Sequence, residues 1–169
     1  QSKQNGAEAA STNEWIELSN KMPSTKEFTV CNWIKPEYFN TDIAVTLWSY
    51  CTIQEVDDPM ECLQMLLQAE AKYANRDVTI YGEIKMKNKY TKFTMDVRPF
   101  DHRSWGNFCW SVSSVSKQSK FYYNGKLLGI DTIKGMENDT ILSSASKMSD
   151  AAFIFGQEPD LMRGGYNKY

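Results

Sequence analysis

The sequence holds a single histidine, His102, in 169 residues. Nucleophilic hydrolysis of the Ser/His/Asp or Cys/His kind needs an imidazole beside its nucleophile, and one histidine in the polar stretch 98–107 assembles no convincing set. Zinc is disfavoured on the same ground, because its sites take four ligands and the cysteines here read as disulfide formers. His102 lies between Asp101 and Arg103 and reads as part of a solvated turn. Charge of one sign is lacking too: 19 basic residues stand against 21 acidic ones, for a net charge of −2. Dispersed charge of that size leaves no footprint for nucleic acid. No apolar run approaches the ~20 residues of a membrane span. There is no internal repeat and no low-complexity linker, so the chain reads as one domain large enough for a real core.

Aromatic residues, in contrast, make up 13% of the chain, with five Trp and nine Tyr, a composition that suits sheets better than helical bundles. Four cysteines, an even number, fit an oxidising compartment and allow three pairings. The chain starts at Gln1 rather than Met, which is read as a mature N-terminus left after removal of a signal peptide. Asn138-Asp139-Thr140 is an N-glycosylation acceptor that such a compartment could use. These features place the chain outside the cell, either secreted or on the extracellular face of a membrane protein.

Along the chain, residues 1–14 are polar and read as a loose arm, with the domain over 15–169. Trp15, Ile16 and Leu18 predict a first edge strand near 15–18. Glu27 to Ile34 predicts a strong strand, with Phe28 and Val30 pointing one way and Cys31 and Trp33 the other. Apolar residues on both faces predict that it lies between two layers. Ala44 to Thr52 is a second strand, β-branched and aromatic. Over 57–69 local rules conflict. Asp58, Pro59 and Glu61 form a helix start with a capping box, yet Leu63, Met65, Leu67 and Ala69 alternate with Gln64 and Gln68. The alternation predicts a strand with a loop before it. Val78 to Ile84, Thr91 to Val97 (half-buried) and Asn107 to Val115 follow. Lys120 to Ile130 is a hairpin around Asn124-Gly125, the residue pair of a type I′ turn. Residues 134–150 read as polar loop and Ala151 to Gly156 as a last strand. Many short strands and no long helix predict an all-β fold, a two-sheet antiparallel β-sandwich or jelly roll.

After Phe153-Ile154-Phe155-Gly156 the chain runs into Glu158-Pro159-Asp160 and then Gly164-Gly165. Carboxylates two apart in an irregular loop can aim several oxygens at one hard cation, although an acidic hairpin end is the plainer reading of these residues alone. Five stretches then carry a resemblance: Phe28-Thr-Val-Cys31 with Trp33, Leu47-Trp-Ser49-Tyr50, Phe108-Cys109-Trp110-Ser111, Lys120 through Asn124-Gly125-Lys126, and Phe155-Gly156-Gln157-Glu158 through Asp160 to Gly164-Gly165-Tyr166. Over 26–169 their order and spacing resemble the pentraxin branch of the laminin-G-like, concanavalin-type jelly rolls. The resemblance implies a calcium site at a loop-rich edge, with phosphate esters or polar glycans bound over the ion. Glu158 and Asp160 match its acidic pair, and Pro159 stands where the family offers a main-chain carbonyl. Asp57 and Asp58 fall, within one residue, on its acidic or amide pair after the Ser-Tyr strand. Asn167 stands in place of a further acid, which removes a charge, and Arg163 adds a positive one. The family's last site residue and final strands would lie past Tyr169, so the last strands are expected to be missing from this chain. A following segment or a partner chain would supply them, and an unpaired sheet edge would be left otherwise.

The resemblance pairs Cys31 with Cys109, which leaves Cys51 and Cys62 flanking the Asp57-Asp58 loop. A second bridge there would preorganise a metal site or simply staple a loop. The related jelly-roll glucanases need carboxyls at i and i+4 of a strand with an acid between. Glu158 and Asp160 fit two places but Met162 holds the third, which argues against hydrolysis. The expected function is therefore a non-catalytic binding module, with calcium-dependent recognition of a phosphorylated or glycan ligand. The alternative is a calcium-independent adhesion or assembly module that contacts an extracellular protein, either as a homo-oligomer or within a larger receptor, channel or matrix protein. Tyr166 and Tyr169 could stack on a sugar or finish a sheet.

Overall fold

The computed structural model describes residues 16–18, 22–35, 44–52, 61–69, 78–86, 89–98, 100, 104–141 and 151–155. These form ten strands: β1 (Ile16–Leu18), β2 (Glu27–Ile34), β3 (Val45–Thr52), β4 (Glu61–Ala69), β5 (Val78–Met86), β6 (Lys89–Val97), β7 (Gly106–Ser113), β8 (Gln118–Tyr123), β9 (Lys126–Thr132) and β10 (Ala151–Phe155). One sheet has the order β1-β10-β3-β4-β5-β6 and the other β2-β7-β8-β9. Every pairing is antiparallel. The expected all-β, two-sheet jelly roll is what the chain forms, and the 15–18 edge strand is β1. The 1–14 arm lies outside the described residues.

Over 61–69 the conflict resolves as strand. From Cys62 to Leu67 the strand is paired on both sides, to β3 and to β5. Leu63, Met65 and Leu67 turn into the core, as the period-2 alternation requires. The helix-start signal at Asp58-Pro59 lies outside the described residues. The Asn124-Gly125 hairpin is also as expected: both residues have positive φ, 49° and 74°, the pattern of a type I′ turn.

Two expectations are corrected. Strand β2 does not lie between two layers. Phe28 is buried, but Trp33 on the opposite face is 65% exposed. The strand is the outer member of the four-stranded sheet, and no described strand lies over its second face. Apolar residues on both faces here mark a disulfide and an open surface rather than a second layer. Over its described part, 134–141, the 134–150 stretch is loop as expected, but not wholly polar in its packing. Met136 and Ile141, within it, are each 1% exposed and join the core cluster, beside Ile133 just before it. A loop with widely spaced apolar anchors has no period to reveal them.

Trp110 is the centre of the core. Phe28 meets it edge-on at 5.2 Å, Phe121 stacks on it at 5.9 Å, and Trp48 and Phe93 close around it at 5.9 and 6.2 Å. Its indole N–H donates to the buried Ser119 Oγ at 2.9 Å, which satisfies the one polar atom this side chain brings inside.

Candidate functional site

Both expected bridges form. Cys31 pairs with Cys109 and Cys51 with Cys62, each directly opposite its partner across antiparallel strands. The second bridge joins the end of β3 to the start of β4, with Cα atoms 4.2 Å apart. It therefore fastens both ends of segment 53–60, which carries Asp57 and Asp58. That segment lies outside the described residues, as do Glu158, Pro159, Asp160 and Asn167. Among the described residues no group of three or more His, Cys, Asp or Glu could hold a metal ion.

The register nevertheless sets where the acidic segments leave the sheet. Ala151 opposes Thr52 and Phe155 opposes Trp48. Strand β10 thus ends four residues along β3 from the 53–60 junction, a rise of about 13 Å. It also points away from that junction.

Between those two exits lies the outer face of the six-stranded sheet. Ser49 and Cys51 on β3, Cys62, Gln64 and Leu66 on β4, and Ile154 on β10 share this face, and all are buried. No described strand covers it. Toward β6 the same face becomes polar and open. In one cross-strand row Gln64 Nε2 donates to Glu83 Oε2 at 2.7 Å, and Glu83 Oε1 lies 3.4 Å from Lys92 Nζ. Tyr81, in the adjacent row, donates its O–H to Gln68 Oε1 at 2.9 Å, while the Lys92 ammonium sits 3.8 Å from the Tyr81 ring centroid. Thr79 donates to Asp96, which also takes Arg98. A flat array of amides, carboxylates, a cation and a phenol can exchange hydrogen bonds with a hydroxyl-rich or anionic ligand, and the row is pre-ordered by its own bonds.

Glu61 is a residue the sequence reading used only as a helix-capping group. It opens β4, directly after 53–60, and is 7% exposed. Its Oε2 has no hydrogen-bond partner among the described residues. A buried carboxylate oxygen left without a donor is expensive, and the strand alternation sets Glu61 on the core-facing side of β4 with Leu63 and Met65.

The opposite sheet presents a different surface. Trp33, Leu127 and Ile130 are exposed, with half-buried Tyr122 among them. The ladder places Tyr122 and Leu127 in one row with the Cys31–Cys109 bridge. This is an apolar patch on a solvent-facing sheet.

No protein-family model matches the chain, and no curated protein sequence matches it. Among solved structures, it is similar to a native heptameric SAP-like pentraxin from Limulus polyphemus. That similarity has a TM-score of 0.66 and 18% identity over 91% of this chain and 62% of the pentraxin chain. Sheep galectin-11, in complex with glycerol, matches at TM-score 0.43 and 6% identity over 81% of this chain and 87% of its own. A κ-carrageenase from Pseudoalteromonas carrageenovora, solved with an oligotetrasaccharide of κ-carrageenan, matches at 0.43 and 10% over 83% and 64%. The last two are too distant to carry an argument. The first shows the fold: the chain has a jelly roll like that of this pentraxin. It spans 62% of the length of that pentraxin chain.

Proposed function

We propose that this chain is a non-catalytic recognition module of an extracellular protein, and that it binds a glycan or phosphorylated ligand with the help of a calcium ion. Asp57, Asp58, Glu158, Asp160, the Pro159 carbonyl and Asn167 would hold the ion, an all-oxygen set of the kind calcium takes. Bound calcium would supply positive charge and open coordination positions to ligand oxygens. The observation that supports this reading most is the Cys51–Cys62 bridge, since fixing both ends of 53–60 reduces the ordering cost of a cation site in that loop. Glu158 and Asp160 reach the same point only if the chain after Phe155 turns back over the outer face of the sheet. The polar row Gln64–Glu83–Lys92 with Tyr81 would then border the ligand.

The test is retention of the folded chain on resins bearing phosphate esters or sulfated and neutral glycans. Retention in calcium that is lost in chelator supports the reading. Retention that survives the chelator overturns the calcium dependence, and release of reducing sugar from a glycan overturns the non-catalytic assignment.

A second reading has its own observation. The apolar patch of Trp33, Tyr122, Leu127 and Ile130 suits a calcium-independent assembly module whose four-stranded sheet meets another protein surface.

A further inference from the structure

We propose that Asn138 carries an N-linked glycan, and that this glycan stands at the end of the sandwich from which segment 53–60 leaves. The proposal rests on the extracellular reading above. Asn138-Asp139-Thr140 is the only Asn-x-Ser/Thr triplet in the sequence. The structure adds what the triplet alone cannot. Asn138 is exposed, in a turn, with φ of 63°, a conformation that asparagine tolerates better than most residues. Its backbone N–H is taken by the Ser114 carbonyl at 3.1 Å, while its carboxamide makes no hydrogen bond among the described residues. A sugar attached to the amide nitrogen therefore displaces no hydrogen bond among the described residues.

The turn is firmly held, so the attachment point is fixed. Met136 and Ile141 anchor it in the core on either side. The Asp139 N–H donates to the Met136 carbonyl and the Ile141 N–H to the Thr25 carbonyl. The Ser114 hydroxyl donates to the Asp139 carbonyl at 2.7 Å, and Lys89 pairs with the Asp139 carboxylate. Space around the turn is open: a Cβ built on nearby Gly135 meets nothing within 4 Å.

Lys89 places the turn relative to the rest of the molecule. It opens β6 opposite Met86, and the ladder puts Met86 level with Glu61 and Thr52. Asn138 thus lies at the 53–60 end, on the β6 side. Strand β6 is two strands from β4, roughly 10 Å. A glycan there would shield the outer edge of the six-stranded sheet from edge-to-edge pairing. It would leave the outer face and the β10 side as the approaches for a ligand or partner.

In the transfer step the Asn138 Nδ2 bonds to the anomeric carbon of the first N-acetylglucosamine. The donor is an oligosaccharide on a polyprenyl pyrophosphate. The bond from that carbon to the phosphate oxygen breaks, the pyrophosphate leaves with the electron pair, and Nδ2 gives up one proton to the transferase base. No oxidation or reduction occurs.

The test is expression of the full chain behind a signal peptide in eukaryotic secretory cells, followed by intact mass before and after peptide N-glycosidase. A single heterogeneous glycan mass is expected, removed by the enzyme with deamidation mapped to Asn138. It should be absent in Asn138→Gln and Thr140→Ala and kept in Thr140→Ser. An exported chain with both disulfides and no added mass overturns the glycan while leaving the extracellular reading intact. A chain that is retained and never exported overturns both.

Discussion

Gly82 and Trp110 are in direct apposition across the sandwich: a Cβ on Gly82 would stand 2.5 Å from Trp110 Cε2 and 2.9 Å from Phe121 Cζ. Gly82 leaves the space that the central indole fills, so Gly82→Ala forces apart two large rings that pack on each other. The expected loss is about 1–3 kcal/mol, the usual cost of overpacking a core. Gly129→Ala is the control. Its Cβ meets only the Met95 thioether end, which can swing aside, so a smaller loss is expected. Denaturant midpoints of the two variants against the parent check both expectations.

The two bridges should separate in reactivity and in stabilisation. Cys31 is exposed and Cys109 half-buried, whereas Cys51 and Cys62 are both buried. Mild reductant followed by alkylation of the native protein should label Cys31 and Cys109 first. In the chain-entropy model, closing a loop of sequence separation 78 stabilises by about 4.5 kcal/mol and one of separation 11 by about 3 kcal/mol. Paired Cys→Ala variants at each bridge, compared by denaturant unfolding, should fall in that order.

Tyr50 makes the fold sensitive to alkali. Burial raises its phenol above the ordinary value, with the Met22 N–H donated to its oxygen opposing the shift. Because the folded value is the higher one, the folded state holds the proton more tightly. Stability is therefore complete below the unfolded value, near 10, and falls as pH rises toward and through the folded value. Unfolding free energy measured from pH 8 upward should decline above about pH 10. Tyr50→Phe should flatten that decline while costing roughly 1 kcal/mol at neutral pH for the lost acceptor.

The apolar patch on the four-stranded sheet yields a prediction for the assembly reading. Trp33→Ser and Ile130→Lys change exposed side chains and should leave the melting midpoint within the small range typical of surface substitutions. If that sheet is an interface, sedimentation of the parent should show a concentration-dependent larger species that both variants lack. A parent that sediments as a monomer throughout would remove the support the patch gives to assembly.

Strand positions were legible because their side chains keep period 2. Leu63, Met65 and Leu67 outweighed the helix-start signal at Asp58-Pro59, since a strand paired on both sides gains ladder bonds and core burial together. The Asn124-Gly125 turn was legible from two residues that accept positive φ. Strand β2 was misread because hydrophobicity alone does not distinguish a covered face from an open one bearing Trp33 and a disulfide. Met136 and Ile141 escape a reading of 134–150 as polar because loop anchors have no spacing rule. The apposition of Gly82 and Trp110 joins different sheets, and nothing local encodes it. Glu61 was visible as an acid, but its burial follows from pairing opposite Thr52 and beside Met86. The residues Asp57, Asp58, Glu158, Pro159, Asp160 and Asn167 rest on family resemblance and lie outside the described structure.

The most direct measurement of the central claim is a thermal melt of the disulfide-bonded chain across a calcium series and in chelator. A ligand that binds only the folded state raises the midpoint with its concentration, by about 2.7 kcal/mol of stability at one hundred times its dissociation constant. The account predicts a midpoint that keeps rising with the logarithm of calcium concentration above the dissociation constant, a rise abolished in Glu158→Ala and Asp160→Ala. A folded chain whose midpoint is the same in calcium and in chelator would contradict it.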